Sequence, residues 1–275
     1  MTCYDLHSHS NVSDGTLSPT DLVKRAVGQG VDVLALTDHD GTEGIALAIT
    51  AAKETSLELV AGVEISVSWG SNTIHILGLN IDPQEPELQL GLQAIRDYRV
   101  GRAEEIASRL HKAGISGALE GASAYSSKVM LGRLHFAKFL VTEGHAKDIN
   151  DVFKRFMVRN KPGYVPGQWA SLEDAVNWII QAGGQAVVAH PARYKMTATK
   201  LRRLLTEFKE LGGVGIEVVS GRQHPEEIKR LASLANGFEL LGSCGSDFHS
   251  PDNTWVELGR LNNMPNDVTP IWSSW

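Results

Sequence analysis

Cysteine is nearly absent from this chain of 275 residues: Cys3 and Cys244 are the only two. Two thiols cannot build a disulfide scaffold, and without a C-x-x-C pair they offer no thiolate zinc site. A reduced, cytoplasmic setting is therefore the expectation. Long apolar runs are missing too. Nothing approaches the ~18 continuous apolar residues of a membrane-crossing helix. The opening M-T-C-Y-D-L-H has neither the basic start nor the apolar stretch of a secretion signal. Positive charge is not in excess either. Lys and Arg number 26 against 32 Asp and Glu, a formal net charge of −6. The chain is thus no general coat for nucleic acid, and a nucleotide must be held by a local cationic site. No G-x-S-x-G elbow and no phosphate-cradling P-loop occurs, so no protein nucleophile is in view.

What is present is an ordinary globular composition, 42% apolar and 21% charged, with ten histidines. That length buries one large core, or one core and a small insert. Most of the histidines sit beside Asp, Gly or Pro at the ends of apolar runs. Tyr4–His7 reads as a short strand, Val31–Thr37 as a second and Leu57–Val63 as a third. Ile65–Trp69 and Thr73–Leu79 read as a hairpin around Gly70-Ser71-Asn72. Helices are expected from Pro19, with Ser18 as cap and Asp21 completing S-x-x-D, and over Gly44–Thr55. The alternation resumes with helices at Ser171–Ala182, Thr199–Leu211 and Pro225–Ala235. They separate strands at Gln185–His190, Val214–Val219 and Leu240–Ser246. Strand, helix, strand at this spacing is the pattern of parallel β/α units. The stretch 86–165 breaks it. Its character is helical (Leu88–Ala113, Leu131–Thr142, Ile149–Phe156), with Gly-rich punctuation after the first helix. It is basic, carrying Arg96, Arg99, Arg102, Arg109, Lys128, Arg133, Lys154, Arg159 and Lys161 among others. It reads as a helical insertion that caps a barrel formed by 1–85 and 166–275. The tail from Asn262, with two exposed-looking tryptophans, is expected to be weakly ordered or to pack on the barrel bottom.

The chemistry gathers at strand ends. His7 and His9 flank Ser8 in an extended segment, where residues i and i+2 point to one side and can converge on a metal. Asp14, in Ser13-Asp14-Gly15, reads by itself as a turn residue. Asp38-His39-Asp40 follows the apolar V-L-A-L. Glu64 and Glu217 interrupt apolar strands, and a buried carboxylate must be paired or hold a cation. His75 lies in the returning hairpin strand, where a lone histidine is ordinarily a satisfied core residue. His190 ends V-V-A-H-P, and Asp247 and His249 end G-S-D-F-H. Each signal is modest, but seven decorated strand ends describe where β/α barrels build their sites, and a multinuclear metal site is expected.

The set D-L-H-S-H-S (5–10), S-D-G (13–15), L-T-D-H-D (36–40), G-V-E-I-S (62–66), H-I-L-G (75–78), A-H-P (189–191) and G-S-D-F-H (245–249) resembles the PHP family of phosphoesterases, in order along nearly the whole chain. G-R-L-H-F-A (132–137) and K-P-G-Y-V-P (161–166) are similar to its nucleoside 3′,5′-bisphosphate phosphatases, some described as 5′-to-3′ exoribonucleases on short RNA. The resemblance implies an α/β fold, a distorted (β/α)₇ barrel of the PHP type with a helical insertion. It implies three divalent metal ions, Mn²⁺ or else Fe²⁺ or Zn²⁺. The first would take His7, His9, Glu64 and Asp247; the second Asp14, His39 and His249; the third His75 and His190, with Glu64 bridging. Many members carry His where Asp14 stands, and Asp favours a harder metal.

Three carboxylates against three divalent ions leave a positive site even after a bridging hydroxide is counted, matched to a phosphomonoester dianion. The function implied is removal of the 3′-phosphate from a nucleoside 3′,5′-bisphosphate by that hydroxide. Short-RNA exonuclease and histidinol-phosphate phosphatase are the alternatives. His135 and Asp40 are candidates to protonate the leaving alkoxide; Arg133, His135, Lys161 and Arg193 to bind substrate. Tyr164 or Trp169 could stack on a base. The expected partner is a nucleotide, with short RNA as the second choice; no membrane and no stable protein partner is implied.

Overall fold

The computed structural model describes residues 2–125 and 131–275; Lys128, one of the insertion's cations, lies outside the described residues. Seven strands form one sheet in chain order: β1 (Tyr4–Asp5), β2 (Val33–Leu36), β3 (Glu58–Trp69), β4 (Asn72–Leu79), β5 (Gln185–Val188), β6 (Gly215–Ser220) and β7 (Leu241–Gly245). Pairing is parallel except at β3–β4 and β4–β5. The first and last strands meet just beyond their ends. Leu6 N–H donates to Cys244 O at 2.9 Å, Asp247 N–H to His7 O at 2.8 Å and His9 N–H to Phe248 O at 2.9 Å. Gly245 permits this approach, because a Cβ there would fall 2.2 Å from the His7 Cβ. The sheet thus closes into the expected distorted barrel.

Nine helices are described: α1 (Pro19–Gly28), α2 (Ile45–Ala52), α3 (Pro86–Lys112), α4 (Ala118–Ser123), α5 (Arg133–Thr142), α6 (Ile149–Val152), α7 (Leu172–Gln181), α8 (Ala198–Glu210) and α9 (Pro225–Phe238). Local chemistry starts them where the sequence indicates. Ser18, Ser171 and Thr197 each accept a backbone N–H of the first turn of α1, α7 and α8, satisfying donors that the helix itself leaves open. The strands alternate as a barrel wall must. Val33 with Ala35, Leu77 with Leu79 and Val187 with Ala189 are buried i, i+2 pairs of one core cluster, which Ile271 joins.

The chain divides into two compact units. One joins Met1–Leu92 to Ala170–Trp275 and holds the whole sheet; the other is Gln93–Trp169. The second has its own core, with Ile106, Leu110, Phe136, Leu140 and Met157 buried together. One face of α3 ties down the segment 164–166. Tyr98 Oη donates to Pro166 O at 2.7 Å, Arg102 Nη2 to Val165 O at 3.1 Å and Arg109 Nη1 to Tyr164 O at 2.6 Å.

Four local expectations are corrected. The Gly-rich break after α3 contains α4, because Gly121 lets that helix lie against Phe139: a Cβ there would sit 2.1 Å from the ring. The helix expected over Ile149–Phe156 narrows to α6 and then widens into a π-type turn at Phe153–Met157. The break expected between Val63 and Ile65 does not occur; β3 runs through Glu64, which pairs with Leu77. Trp272 is not an exposed tail residue, since it stacks on Tyr4 with centroids 4.1 Å apart while its neighbour Ile271 is fully buried.

Candidate metal centre

Every residue of the centre sits at one end of the barrel, where the parallel strands finish and β3 hands over to β4. His7 and His9 leave β1, His39 leaves β2, Glu64 rises within β3, His75 faces it from β4, His190 follows β5, Glu217 lies in β6, and Asp247 and His249 follow β7. Two of these positions hold non-glycine residues at positive φ, His190 at 28° and Asp247 at 55°, as does Asp40, next to His39, at 48°. Such conformations cost of order 1–3 kcal/mol each and persist where the surroundings over-determine them.

Glu64 is the hub. It is fully buried, and five imidazoles aim at it. His7 Nε2, His9 Nε2 and His39 Nδ1 lie 3.2, 3.2 and 3.1 Å from its Oε2. His75 Nδ1 and His190 Nε2 lie 2.8 and 2.9 Å from Oε1. A carboxylate offers about four lone-pair positions, too few for five donors. Oε2 in fact accepts no hydrogen bond despite its three nitrogen neighbours, and the buried His9 Nδ1, His39 Nδ1, His190 Nδ1 and Asp14 Oδ1 are equally without one. His7 Nε2 and His9 Nε2 face each other at 3.0 Å. Ligand atoms crowded this closely, several of them without a hydrogen bond, fit cations placed among them. Three groups have the required spacing: His7, His9, Glu64 and Asp247; His9, Asp14, His39 and His249; and His39, Glu64 and His75. His39 therefore faces two groups, with Nε2 3.8 Å from Asp14 Oδ2 as well as Nδ1 at Glu64. Among the described residues, the His190 ring meets only the Glu64 carboxylate within 4 Å.

The electrostatics agree. Burial by itself would raise the Glu64 pKa, but His39, His7 and His75 hold it well below the usual carboxylate range. Burial would likewise lower His9, yet Asp247 and Glu64 push it up to about 10. His39 goes the other way: burial takes it down to about 4 despite Glu64 and Asp14. Buried acids and bases this close must neutralise one another with protons or with bound cations.

A ring of supporting groups fixes the donors. Glu217, fully buried, meets His7 Nδ1 at 3.0 Å with Oε1 and accepts the His190 backbone N–H with Oε2. In the neutral ring, His7 Nδ1 then carries the proton and the Nε2 lone pair points at the centre. Asp38 accepts Ser10 N–H at 2.8 Å and the hydroxyls of Ser10 and Ser13, both at 2.6 Å, fixing the loop that leads to Asp14. Tyr194 Oη accepts His75 N–H at 2.8 Å and its ring meets His190 edge-on at 5.5 Å. Sequence reasoning gives neither Asp38 nor Tyr194 a role of its own. Arg193 pairs with Asp247 and stays half exposed.

The remaining candidates are placed as follows. Asp40 is buried, and its two oxygens accept Ser66 N–H at 2.7 Å and Ser66 Oγ–H at 3.0 Å. His135, in the 93–169 unit, is buried at the start of α5; its Nδ1 accepts Gly132 N–H at 3.0 Å, which leaves the ring proton on Nε2 when neutral. Arg133 and Lys161 of the same unit are exposed, Arg133 lying over the Phe153 ring at 5.6 Å.

A closed β/α barrel with buried imidazoles and carboxylates converging at the strand ends defines a metal-binding barrel hydrolase. The chain belongs to the PHP domain family, whose pattern matches residues 5–220. It is 46% identical over 273 residues to a 3′,5′-nucleoside bisphosphate phosphatase from Chromobacterium violaceum, spanning 99% of this chain and 96% of that one. It is 45% identical to a 5′-3′ exoribonuclease from Haemophilus influenzae, spanning 98% and 97%. A solved amidohydrolase structure from Chromobacterium violaceum, with bound sulfate and no metal, superposes with a TM-score of 0.92 at 46% identity over 98% of this chain and 94% of that one. The chain is thus an enzyme, a phosphoric ester hydrolase. No helix among the described residues is long and apolar enough to cross a membrane.

Proposed function

We propose that this enzyme removes the 3′-phosphate of nucleoside 3′,5′-bisphosphates. The observation that carries the reading is the crowding of five imidazoles on Glu64. The metal ligands are His7, His9, Glu64 and Asp247; Asp14, His39 and His249; and His75 and His190 together with Glu64. They would hold three divalent ions, with Asp14 favouring the harder Mn²⁺ or Fe²⁺ over Zn²⁺. Bound there, the ions supply Lewis-acid stabilisation of the phosphoryl oxygens and bring the ionisation of water to near neutral pH.

The chain's own residues do the rest. Glu217 keeps His7 in one tautomer. Arg193, anchored on Asp247 yet half exposed, meets a phosphate oxygen with its free edge. Arg133, His135 and Lys161 contact the nucleotide. His135, whose Nε2 bears the proton, donates it to the leaving 3′-oxygen. Asp40, with both oxygens on Ser66, is the second candidate for that proton and the brace of β3. Two free cysteines suit the cytoplasm.

A second reading, 5′-3′ exoribonuclease on short RNA, is favoured by the equal likeness to the Haemophilus influenzae relative. The test is phosphate release from adenosine 3′,5′-bisphosphate by Mn²⁺-loaded enzyme, with histidinol phosphate and a 5′-phosphorylated oligoribonucleotide in parallel. Release that leaves adenosine 5′-monophosphate is expected. Turnover of histidinol phosphate alone overturns the reading.

A further inference from the structure

Outside the metal centre, the barrel unit carries a cavity of about 270 Å³ between the segment after β6 and the segment after β7. Gly221, Arg222 and Gln223 line it on one side, Trp255, Glu257 and Arg260 on the other. Trp255 is 70% exposed, more than any other large apolar residue described. The Arg222 guanidinium lies 4.7 Å from its ring centroid, so one ring face is covered by a cation and the other meets water. An exposed indole forgoes much of the stabilisation that burial of its area would give.

The ring is not loose on its loop. Glu257, two residues on, holds Arg25 through two hydrogen bonds of 3.0 and 2.5 Å. Leu258 is fully buried, and Gly259 N–H donates to the buried Asp5 at 2.9 Å. From the next turn, Asn262 Nδ2 donates to Gln223 O at 3.4 Å. A braced segment thus presents one bare aromatic face. Arg222 and Arg260 both line the cavity and, among the described residues, neither makes an ion pair within 4 Å, although Arg260 is near enough to Glu257 to help hold its carboxylate ionised.

The cavity also adjoins the metal centre. Gly221 N–H donates to Gly245 O at 3.0 Å, and a Cβ on Gly221 would lie 3.3 Å from Arg193 Nη2. Arg193 is the residue that pairs with Asp247.

We infer that Trp255 is a stacking platform for a nucleobase, with Arg222 behind the ring and Arg260 beside it serving the attached phosphate. A flat heterocycle completes a cation–indole–base stack, and the cavity of about 270 Å³ has room for a base. The inference rests on the proposed nucleotide substrate and adds what that reading leaves open, the place of the base.

The test compares Trp255→Ala and Trp255→Phe with wild type in the full-length enzyme. One arm measures kcat/KM for adenosine 3′,5′-bisphosphate and for glycerol 3-phosphate, which has no base. Trp255→Ala is expected to lose about 5- to 150-fold more on the nucleotide than on glycerol 3-phosphate, mainly through KM, and Trp255→Phe to restore most of the difference. A second arm, independent of turnover, titrates metal-free protein with adenosine, adenosine 5′-monophosphate and a short oligoribonucleotide while following tryptophan fluorescence. Quenching by adenosine in wild type that is absent in Trp255→Phe supports the platform. Tighter binding of the oligomer than of the monophosphate would place a flanking base there. Equal losses on both esters, or quenching that persists without Trp255, overturns the inference. If wild type hydrolyses glycerol 3-phosphate but no nucleotide, the proposed function fails, and the fluorescence arm still decides the platform.

Discussion

The two units use polar side chains in opposite ways. In the barrel unit they are buried and point at one another, five imidazoles around a single carboxylate. In the 93–169 unit they reach backbone carbonyls instead, as Tyr98, Arg102 and Arg109 do along segment 164–166. Bringing several ionisable groups out of water costs several kcal/mol each unless they are neutralised. The first arrangement therefore makes sense only with protons or cations among the ligands. The second needs nothing beyond the fold. The partner, more than burial, separates the two arrangements, since Arg102 and His135 of the 93–169 unit are buried as well.

The sharpest way to break that contrast is Glu64→Ala. Removing the hub should cost at least several kcal/mol of transition-state stabilisation, about 10³-fold in kcat/KM or more, and should lower bound metal measured by elemental analysis. Normal turnover would refute the ligand assignment. Chelation comes next. Stripping divalent ions should lower the unfolding free energy by the linkage amount, up to about 4 kcal/mol when metal stands a thousandfold above its Kd, seen as a lower thermal midpoint. Reloading should release protons into weakly buffered solution, since His9, pushed up to about 10, is protonated in the metal-free protein at neutral pH. Affinity for Mn²⁺ should accordingly rise with pH. Glu217→Gln tests the supporting ring; it should reduce metal affinity or activity about 10–100-fold with little change in fold by circular dichroism. The smallest effect belongs to the insertion. Tyr98→Phe removes one hydrogen bond to Pro166 O and should cost about 1 kcal/mol in denaturant unfolding, with metal content unchanged. A loss of metal in that variant would erase the distinction between the units.

The same contrast explains what was legible in the sequence. His7 with His9, Asp247 with His249, and Glu64 stand out because each puts an ionisable letter in an apolar, extended context. Asp38 and Tyr194 do not, because much of what they hold is backbone: Ser10 N–H for one, His75 N–H for the other. A backbone donor has no letter of its own. α4 was hidden for a related reason. Gly117 and Gly121 read as a break, whereas Gly121 is needed for its contact with Phe139. Trp272 was legible only as a tryptophan near the end; its partner Tyr4 lies at the other extremity of the chain.

That meeting of extremities has a consequence for how the enzyme comes into being. His7 and His9 emerge long before Asp247 and His249 during synthesis, and the first and last strands meet only when Gly245 reaches His7. A nascent or prematurely stopped chain that carries all the early histidines still lacks the carboxylate opposite them. Completion of the proposed ligand set is therefore a late event in biogenesis. A chain interrupted before Gly245 remains without Asp247 and His249, two of the proposed ligands.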